Sequence, residues 1–281
     1  MSDDAPRHES RSPDQIRQHY LIEKELAARL RAAPREERKQ LYTQVYDELF
    51  QRVPDHPQLI LKHDENSRRR HVAERVALLE KLLSPNATYL ELGPGDCSLA
   101  LEIAKRVKKL YAIDVSHEIA AGVALPANFE LIISDGSSVP VPANSVDVAY
   151  SDQLMEHLHP DDAVEQLQNI YRVLKPGGKY LCITPNRFSG PHDVSQFFDE
   201  VATGFHLQEY SLAELAQLFR TVGFRKLQTM IGARGFHFNT PPALVTTFES
   251  MLAKAPRRLR RTLGRTLPLR LALGIKLIGT K

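Results

Sequence analysis

Apolar residues recur every third or fourth position in the first part of the chain and gather into short runs from Ala87 onward. Ile16, Tyr20, Leu26 and Leu30 share one face of a predicted helix. Leu41, Val45 and Leu49, each four apart, predict a second, which Pro34 can open and "RVPDHPQ" breaks. A third is expected over Glu65 to Leu83, with Val72, Val76, Leu79 and Leu83 on one side. The polar residues 1–13 are expected to form a disordered tail, and 14–86 a helical cap.

Beyond Ala87, runs of β-compatible residues alternate with helical patterns. The expected strands are Thr88–Leu92, Leu110–Asp114, Phe129–Ser134, Val146–Ser151, Lys179–Thr184 and Arg225–Met230, with "LALGIKLIG" as a last one. Helical periodicity is clearest at Asp161–Leu174 and Ser211–Val222, and Leu244, Phe248 and Leu252 mark another helix. Strands interleaved with helices define an α/β fold with a parallel sheet covered on both faces. The core is expected over 87–232, and 233–281 as a helical insertion carrying a basic segment and the last strand. Pro185–Tyr210 is a long irregular connection, a type of segment that is commonly functional.

Composition narrows the class without naming a function. The chain has 281 residues, 42% apolar and 25% charged, as in an ordinary globular protein. No apolar run approaches the roughly 20 residues needed to span a bilayer. Cys97 and Cys182 are too few for a disulfide framework and lack metal-site spacing, so a reducing cytoplasm and no metal are the expectation. The net charge of +3 hides an asymmetry: from Lys254 onward there are nine cations and no acid, leaving residues 1–253 with 28 cations against 34 acids, a net −6.

The chemistry gathers at the predicted strand ends, where ligands bind in open α/β sheets. In "YLELGPGDCSLA", Gly93 and Gly95 follow the first strand and permit a tight turn with close backbone approach. The next helix would begin near Asp96–Ser98, its free N–H groups facing the same place. Asp114 closes the second strand, where a carboxylate can accept both hydroxyls of a ribose. Asp135 follows the third, within reach of an adenine amino group. These residues describe a pocket for a nucleoside-like cofactor. A dinucleotide fingerprint would need glycine where the chain has Ser98, and would make no use of Glu91, so a nicotinamide-dependent oxidoreductase is disfavoured.

Four segments together resemble class I S-adenosylmethionine-dependent methyltransferases, best the type 11 small-molecule subgroup. They are "YLELGPGDCSLA", "YAIDVS", "SDGSSVPVPANSVDVAYSDQLMEHL" and "IYRVLKPGGKYLCITPNR", in order across about residues 87–230. Many members of that family have glycine where this chain has Cys97. The resemblance implies a Rossmann-like doubly wound sheet, mostly parallel with an antiparallel last strand, and S-adenosylmethionine as cofactor. It implies that Glu91, Gly93 and Gly95 surround the amino-acid end, Asp114 holds the ribose, and Asp135 with Gly136 flanks the adenine. Ser151 and Asp152 would lie near the reacting methyl, and Glu156 and His157 beside the acceptor as the candidate catalytic pair.

The sulfonium already activates the methyl group, so the protein must chiefly orient a nucleophile and exclude water. The long loop carries Phe188, Phe197, Phe198, Phe205, Tyr210, His192 and His206, and reads as an acceptor lid in which Phe197, Phe198, His206 and Tyr210 are the expected substrate contacts. The nearby histidines favour oxygen as the methylated atom, in a quinone-like, glycan or lipid-like acceptor. One arginine of Arg68, Arg69 and Arg70 could meet the cofactor carboxylate, although such runs are usually solvated. Leu259, Leu263 and Leu267 among arginines could form a basic amphipathic helix for peripheral membrane contact, against the plainer reading of an insertion packed on the domain. No aromatic residue interleaves there, so nucleic acid is not favoured. A methyltransferase-like binding module without activity would show damage at the cofactor positions, and all of them are present. Oligomeric state is not legible.

Overall fold

A computed structural model describes residues 11–61, 65–115, 124–233, 236–256, 266 and 273–281. Of the expected tail, residues 1–10 lie outside these; at 12–13 the chain is already ordered, with Ser12 capping a helix that Pro13 opens. The proposed amphipathic stripe of Leu259, Leu263 and Leu267 also lies outside the described residues.

Among the described residues four helices precede the sheet: α1 (Pro13–Ala32), α2 (Arg35–Arg52), α3 (Pro57–Leu61) and α4 (Glu65–Leu79). Then follow β1 (Thr88–Leu92), α5 (Ser98–Ala104), β2 (Lys109–Asp114), β3 (Phe129–Ile133), β4 (Val146–Asp152), α6 (Pro160–Val173) and β5 (Leu174–Thr184). The chain ends with α7 (Leu212–Val222), β6 (Lys226–Ala233), β7 (Phe236–Thr240), α8 (Pro242–Lys254) and β8 (Ile275–Thr280).

The strands form one eight-stranded sheet in the order β3-β2-β1-β4-β5-β8-β6-β7. β1 to β5 are parallel, whereas β8 runs antiparallel to both β5 and β6. The last segment of the chain therefore inserts between two earlier strands and closes the sheet, as the resemblance implied. Two expectations needed correction. β7, paired antiparallel with β6, was not foreseen, and β6 runs to Ala233, past the expected core boundary. In α8 the buried positions are Pro242, Val245, Glu249 and Leu252, while Leu244 is exposed.

Side chains alternate across the sheet and build a core on each face. Tyr89, Leu110, Val148 and Leu181 face α4 and α5, whereas Leu90, Ile113, Ala149 and Tyr180 belong to the larger core with α1, α2, α6 and α7. This larger core buries Leu26, Leu30, Val45 and Leu49, so the first two helices are part of the fold rather than an appendage.

Polar ties fix where α1 and α2 sit. Arg38 and Asp162, on α2 and α6, are both buried, with Nε–Oδ2 at 2.8 Å and Nη2–Oδ1 at 3.0 Å. The Tyr42 hydroxyl donates to the same carboxylate (2.9 Å) and accepts from the His159 backbone N–H (2.9 Å). Arg31 of α1 donates to the carbonyls of Thr203, Gly204 and His206 in the long loop. Glu23 accepts from the Phe205 N–H at 2.8 Å. Helices and loop thus form one cover above the carboxyl ends of the strands.

Candidate active site

The turn after β1 is shaped by three left-handed positions at alternate residues: Gly93 (φ 67°), Gly95 (φ 57°) and Cys97 (φ 58°). A Cβ on Gly95 would meet nothing within 4 Å, so the backbone there borders open space. The Gly93 N–H donates to Ile113 O (2.9 Å), and Leu154, from beyond β4, lies against the residue's Cα face. At Cys97 a side-chain-bearing residue is held where glycine is least strained, which fits the glycine that the family resemblance implies there. Its thiol is buried in the core under α5 and burial pushes it up to about 12, so it is not a reactive thiolate.

Glu91, on β1, is buried. Among the described residues, the one hydrogen bond to its carboxylate comes from the Tyr89 hydroxyl, a long one at 3.3 Å. Burial, then the negative charges of Asp152 and Asp96, push Glu91 up to about 8, against the lowering effect of the Tyr89 bond. A buried carboxyl among acids beside a bare-backbone turn is suited to a cation. An ammonium or sulfonium group there would restore the ionised form.

Asp114 ends β2, and its Oδ1 accepts from the Val115 N–H at 2.7 Å. Asp135 is occupied by its own turn: Oδ1 accepts from the N–H groups of Ser137 (3.0 Å) and Ser138 (2.7 Å), and Oδ2 from the Ser138 hydroxyl (2.8 Å). Burial alone would raise it, but these bonds, with Lys39 nearby, hold it below its ordinary value. It therefore shapes the turn that carries Gly136. At Gly136 (φ 89°) a Cβ would come within 3.3 Å of the Tyr42 ring, so α2 lies directly over this turn. Gln166 donates to the Gly136 carbonyl at 2.6 Å.

At the end of β4, Ser151 is fully buried, its hydroxyl 2.7 Å from that of Tyr180. Burial would raise Asp152, but His71 and Arg75 outweigh it and hold the carboxylate ionised. Arg75 Nε lies 2.6 Å from Asp152. α4 thus brings two arginines to the strand ends: Arg75 to Asp152, and Arg68, of the expected group, whose Nη1 lies 3.8 Å from Asp96 in the turn after β1. Arg68 and Arg69 pair with Glu65, and Arg70 reaches Asn66 O and Ser67.

Beyond β4, Glu156 and His157 lie in a 3-10 turn, Met155–His157, and meet His206 of the loop. Their ligand-type atoms lie within 4.8 Å of one another. Glu156 is fully buried: Oε2 accepts from the Thr184 hydroxyl at 2.8 Å, and Oε1 has no hydrogen-bond partner. Burial pushes Glu156 up to about 7, opposed by the positive charge of His206. His157 Nδ1 lies 3.1 Å from Phe205 O and 2.9 Å from the Tyr46 hydroxyl of α2. Burial, then His206, pushes His157 down to about 3, so it is neutral. Burial also opposes the charged form of His206, but a 2.8 Å bond to Glu209 and the charges of Glu156, Glu209 and Asp193 raise it to about 9.

Of the expected acceptor contacts, only His206 joins this cluster. Phe197 packs with Ile16, Tyr20 and Val194, and Phe198 stacks on Tyr20 with ring centroids 4.3 Å apart. These two phenylalanines attach the loop to the outer face of α1. Tyr210 lies in the core, and its carbonyl accepts from the Arg187 N–H at 3.0 Å. Residues that sequence reasoning missed are Tyr46, Thr184, Asp193, Glu209 and Arg75. The run "GFHLQEY", with histidine and glutamate three apart in a loop, was the one local signal available for Glu209.

Comparison with known proteins agrees with this geometry. A methyltransferase-domain family model, type 11, matches residues 90–182. A Mycolicibacterium smegmatis protein described as an S-adenosylmethionine-dependent methyltransferase is 32% identical over 142 residues, covering 50% of this chain and 53% of that one. An uncharacterised methyltransferase of Geobacillus kaustophilus is 30% identical over 146 residues, covering 48% of this chain and 67% of that one. Among solved structures, an Archaeoglobus fulgidus SAM-dependent methyltransferase superposes with a TM-score of 0.52 at 16% identity, over 76% of this chain and 94% of that one, which speaks to the fold. The fold and the strand-end carboxylates define a class I nucleoside-cofactor enzyme fold. The chain belongs to the class I S-adenosylmethionine-dependent methyltransferases of type 11. It spans about half the length of the first curated relatives it matches.

Proposed function

We propose that this protein transfers the methyl group of S-adenosylmethionine to a small-molecule acceptor, with a hydroxyl oxygen as the nucleophile. The observation that carries this reading is the adjacency of two unlike sites at the strand ends. On one side Glu91, with Asp96 and Asp152 close enough to raise it, offers a cation-seeking carboxyl beside the open turn at Gly95. On the other, past β4, a buried Glu–His–His cluster offers polar atoms for an acceptor. The residues fit the cofactor: Glu91 would hold its ammonium group, Asp114 its ribose, and the Gly136 turn its adenine. Bound there, S-adenosylmethionine supplies an already activated methyl group. The protein's own part is to orient the acceptor and keep water out, which the α1–α2 cover and the loop held by Arg31 and Glu23 do.

Quinone-like phenols, glycan sugars and lipid-like alcohols all suit an oxygen nucleophile. Among the described residues no helix is long and apolar enough to cross a membrane. Contact with a membrane surface would have to come through the basic C-terminal segment, and flotation with anionic vesicles tests it.

Calorimetry with S-adenosylhomocysteine and with NAD tests the cofactor assignment: uptake of the first and not the second is expected, and the reverse refutes it. Radiolabelled S-adenosylmethionine added to cell extract, with identification of the labelled product, then tests the acceptor class. Label on carbon or nitrogen would overturn the oxygen assignment.

A further inference from the structure

Glu156, His157 and His206 are more than a polar lining. Each has one polar atom committed to a partner, and one ligand-type atom of each lies within 4.8 Å of the others. Glu156 commits Oε2 to the Thr184 hydroxyl, while Oε1 is buried and unpartnered. His157 has Nδ1 beside the Phe205 carbonyl, which can only accept. The proton is therefore on Nδ1, and the lone pair on Nε2. His206 has Nδ1 against the Glu209 carboxylate, which leaves Nε2 as the nitrogen that would take a metal ion in exchange for its proton. An imidazole whose far nitrogen donates to a carboxylate or to a backbone carbonyl is the arrangement that orients a histidine toward a metal ion.

We propose that Glu156, His157 and His206 form a binding site for a divalent first-row transition-metal ion, which presents the acceptor's hydroxyl oxygen to the methyl group. This rests on the methyl-transfer reading above and deepens it. The ligands are Glu156 Oε1 and the two Nε2 atoms. Two imidazoles and one carboxylate suit zinc, cobalt, manganese or iron(II), and are a poor set for magnesium or calcium, which prefer all-oxygen shells. A three-ligand set leaves a position open for an exogenous oxygen. Ligand atoms within 4.8 Å are somewhat wider apart than the ~3.4 Å that tetrahedral bonds of about 2.0–2.2 Å require, so side-chain shifts of about 1 Å close the site.

A second His–Glu–His group, His19, Glu23 and His56, shows the contrast. Glu23 uses Oε2 for His19 and Oε1 for the Phe205 N–H, and His19 Nδ1 meets Arg11. Its atoms are spent on one another. Only the Glu156 group has a buried oxygen left over.

In the reaction the acceptor hydroxyl binds the ion and releases its proton to solvent. The oxygen's electron pair forms the new O–CH3 bond while the C–S bond breaks toward sulfur, leaving neutral S-adenosylhomocysteine. The ion acts as a Lewis acid that lowers the hydroxyl's pKa.

The test is direct binding to chelator-treated full-length protein, with Co2+ and Zn2+ as probes and Mg2+ as the comparison. The expected result is one Co2+ per chain with a visible d–d spectrum, displaced by Zn2+ and not by Mg2+. Glu156→Gln and His206→Ala should each abolish it. Glu209→Gln, which touches no metal ligand atom directly, should weaken it by about 10–100-fold. S-adenosylhomocysteine uptake by each variant reports that it is folded. If Glu156→Gln fails that check, Glu209→Gln and His206→Ala carry the test. Absence of Co2+ and Zn2+ binding, or binding removed by His56→Ala and kept in His206→Ala, overturns the metal site. Wild-type uptake of S-adenosylhomocysteine without metal would sink this inference and leave the methyl-transfer reading standing; failure to take up S-adenosylhomocysteine would sink that reading.

Discussion

The buried carboxylate of Asp162 is the place where the N-terminal cover can be tested most sharply. Three donors converge on it: Nε and Nη2 of Arg38 and the hydroxyl of Tyr42. Arg38 and Asp162 side chains are 4% and 1% exposed, so water cannot replace a lost partner. Removing one member of such a pair strands a buried charge, which costs about 3–5 kcal/mol. Asp161 could take over part of the role, since it lies 3.8 Å from Arg38, but it is largely exposed. Asp162→Leu and Arg38→Met are therefore each expected to destabilise by about 3–4 kcal/mol. The double variant removes both charges and fills the space with apolar atoms. It still leaves the Tyr42 hydroxyl and the Ala33 carbonyl, which Arg38 Nη1 reaches at 2.7 Å, without partners. It should cost no more than either single variant, giving a coupling of roughly 3 kcal/mol, at the top of the range for residues in contact. Urea unfolding of the four proteins at one pH measures this, with the m-value checked for constancy. Additive losses would refute the reasoning, because they would mean that the two charges do not depend on each other. Amide exchange over α2 should accelerate in both single variants.

Other outcomes follow from the charged groups. Burial pushes Glu91 up to about 8 and favours its neutral form. S-Adenosylhomocysteine should bind more tightly as pH rises from about 7 toward 8.5, where the carboxylate forms, and Glu91→Gln should flatten that trend and weaken binding by about 10-fold or more, as for a lost charge-assisted hydrogen bond. His157→Ala should abolish turnover while cofactor affinity is retained; unchanged turnover removes His157 from the reaction. His56 is pushed down to about 4 by burial, and by His19 next. A histidine that is harder to protonate in the folded state penalises folding once the unfolded chain takes up its proton. Stability should therefore fall from about pH 6.5 downward and level off near 4, by up to ~3 kcal/mol from this group. His56→Phe should show a smaller urea-midpoint shift between pH 7.5 and 5, and an equal shift in both proteins would refute the assignment.

What the sequence made legible was what is local. Apolar runs ending in an acid marked β1 and β2, since a strand end and its functional carboxylate lie within a residue or two of each other. The Gly93–Cys97 turn was legible as a close approach, though the reason for Cys97 was not: its backbone is left-handed, a property no side-chain reading reveals. β7 escaped because "FHFNT" is a five-residue edge strand with Phe238 facing solvent, so no buried face imposes an alternation. The loop aromatics were legible as a group, but their direction was not. Phe197 and Phe198 turn to α1 because Tyr20 and Ile16 present the nearest apolar surface.

The residues that set the properties of the site are those the sequence hid most completely. Tyr46 reaches His157 across 111 positions, Arg38 reaches Asp162 across 124, and Thr184 reaches Glu156 across 28. No periodicity connects such pairs, because only the sheet order and the placement of α2 bring them together. Their effect is nevertheless specific. Thr184 takes one oxygen of Glu156 and leaves the other without a partner, and Glu209 holds Nδ1 of His206. A motif at a strand end can therefore announce a methyltransferase while saying little about its acceptor. In the proposed reading, acceptor chemistry is set by distant residues that decide which atoms of Glu156, His157 and His206 stay available. Substitutions at Thr184 and Glu209, which would leave the cofactor positions untouched, should then alter how the acceptor is held without altering cofactor affinity, a separation that a single shared pocket would not permit.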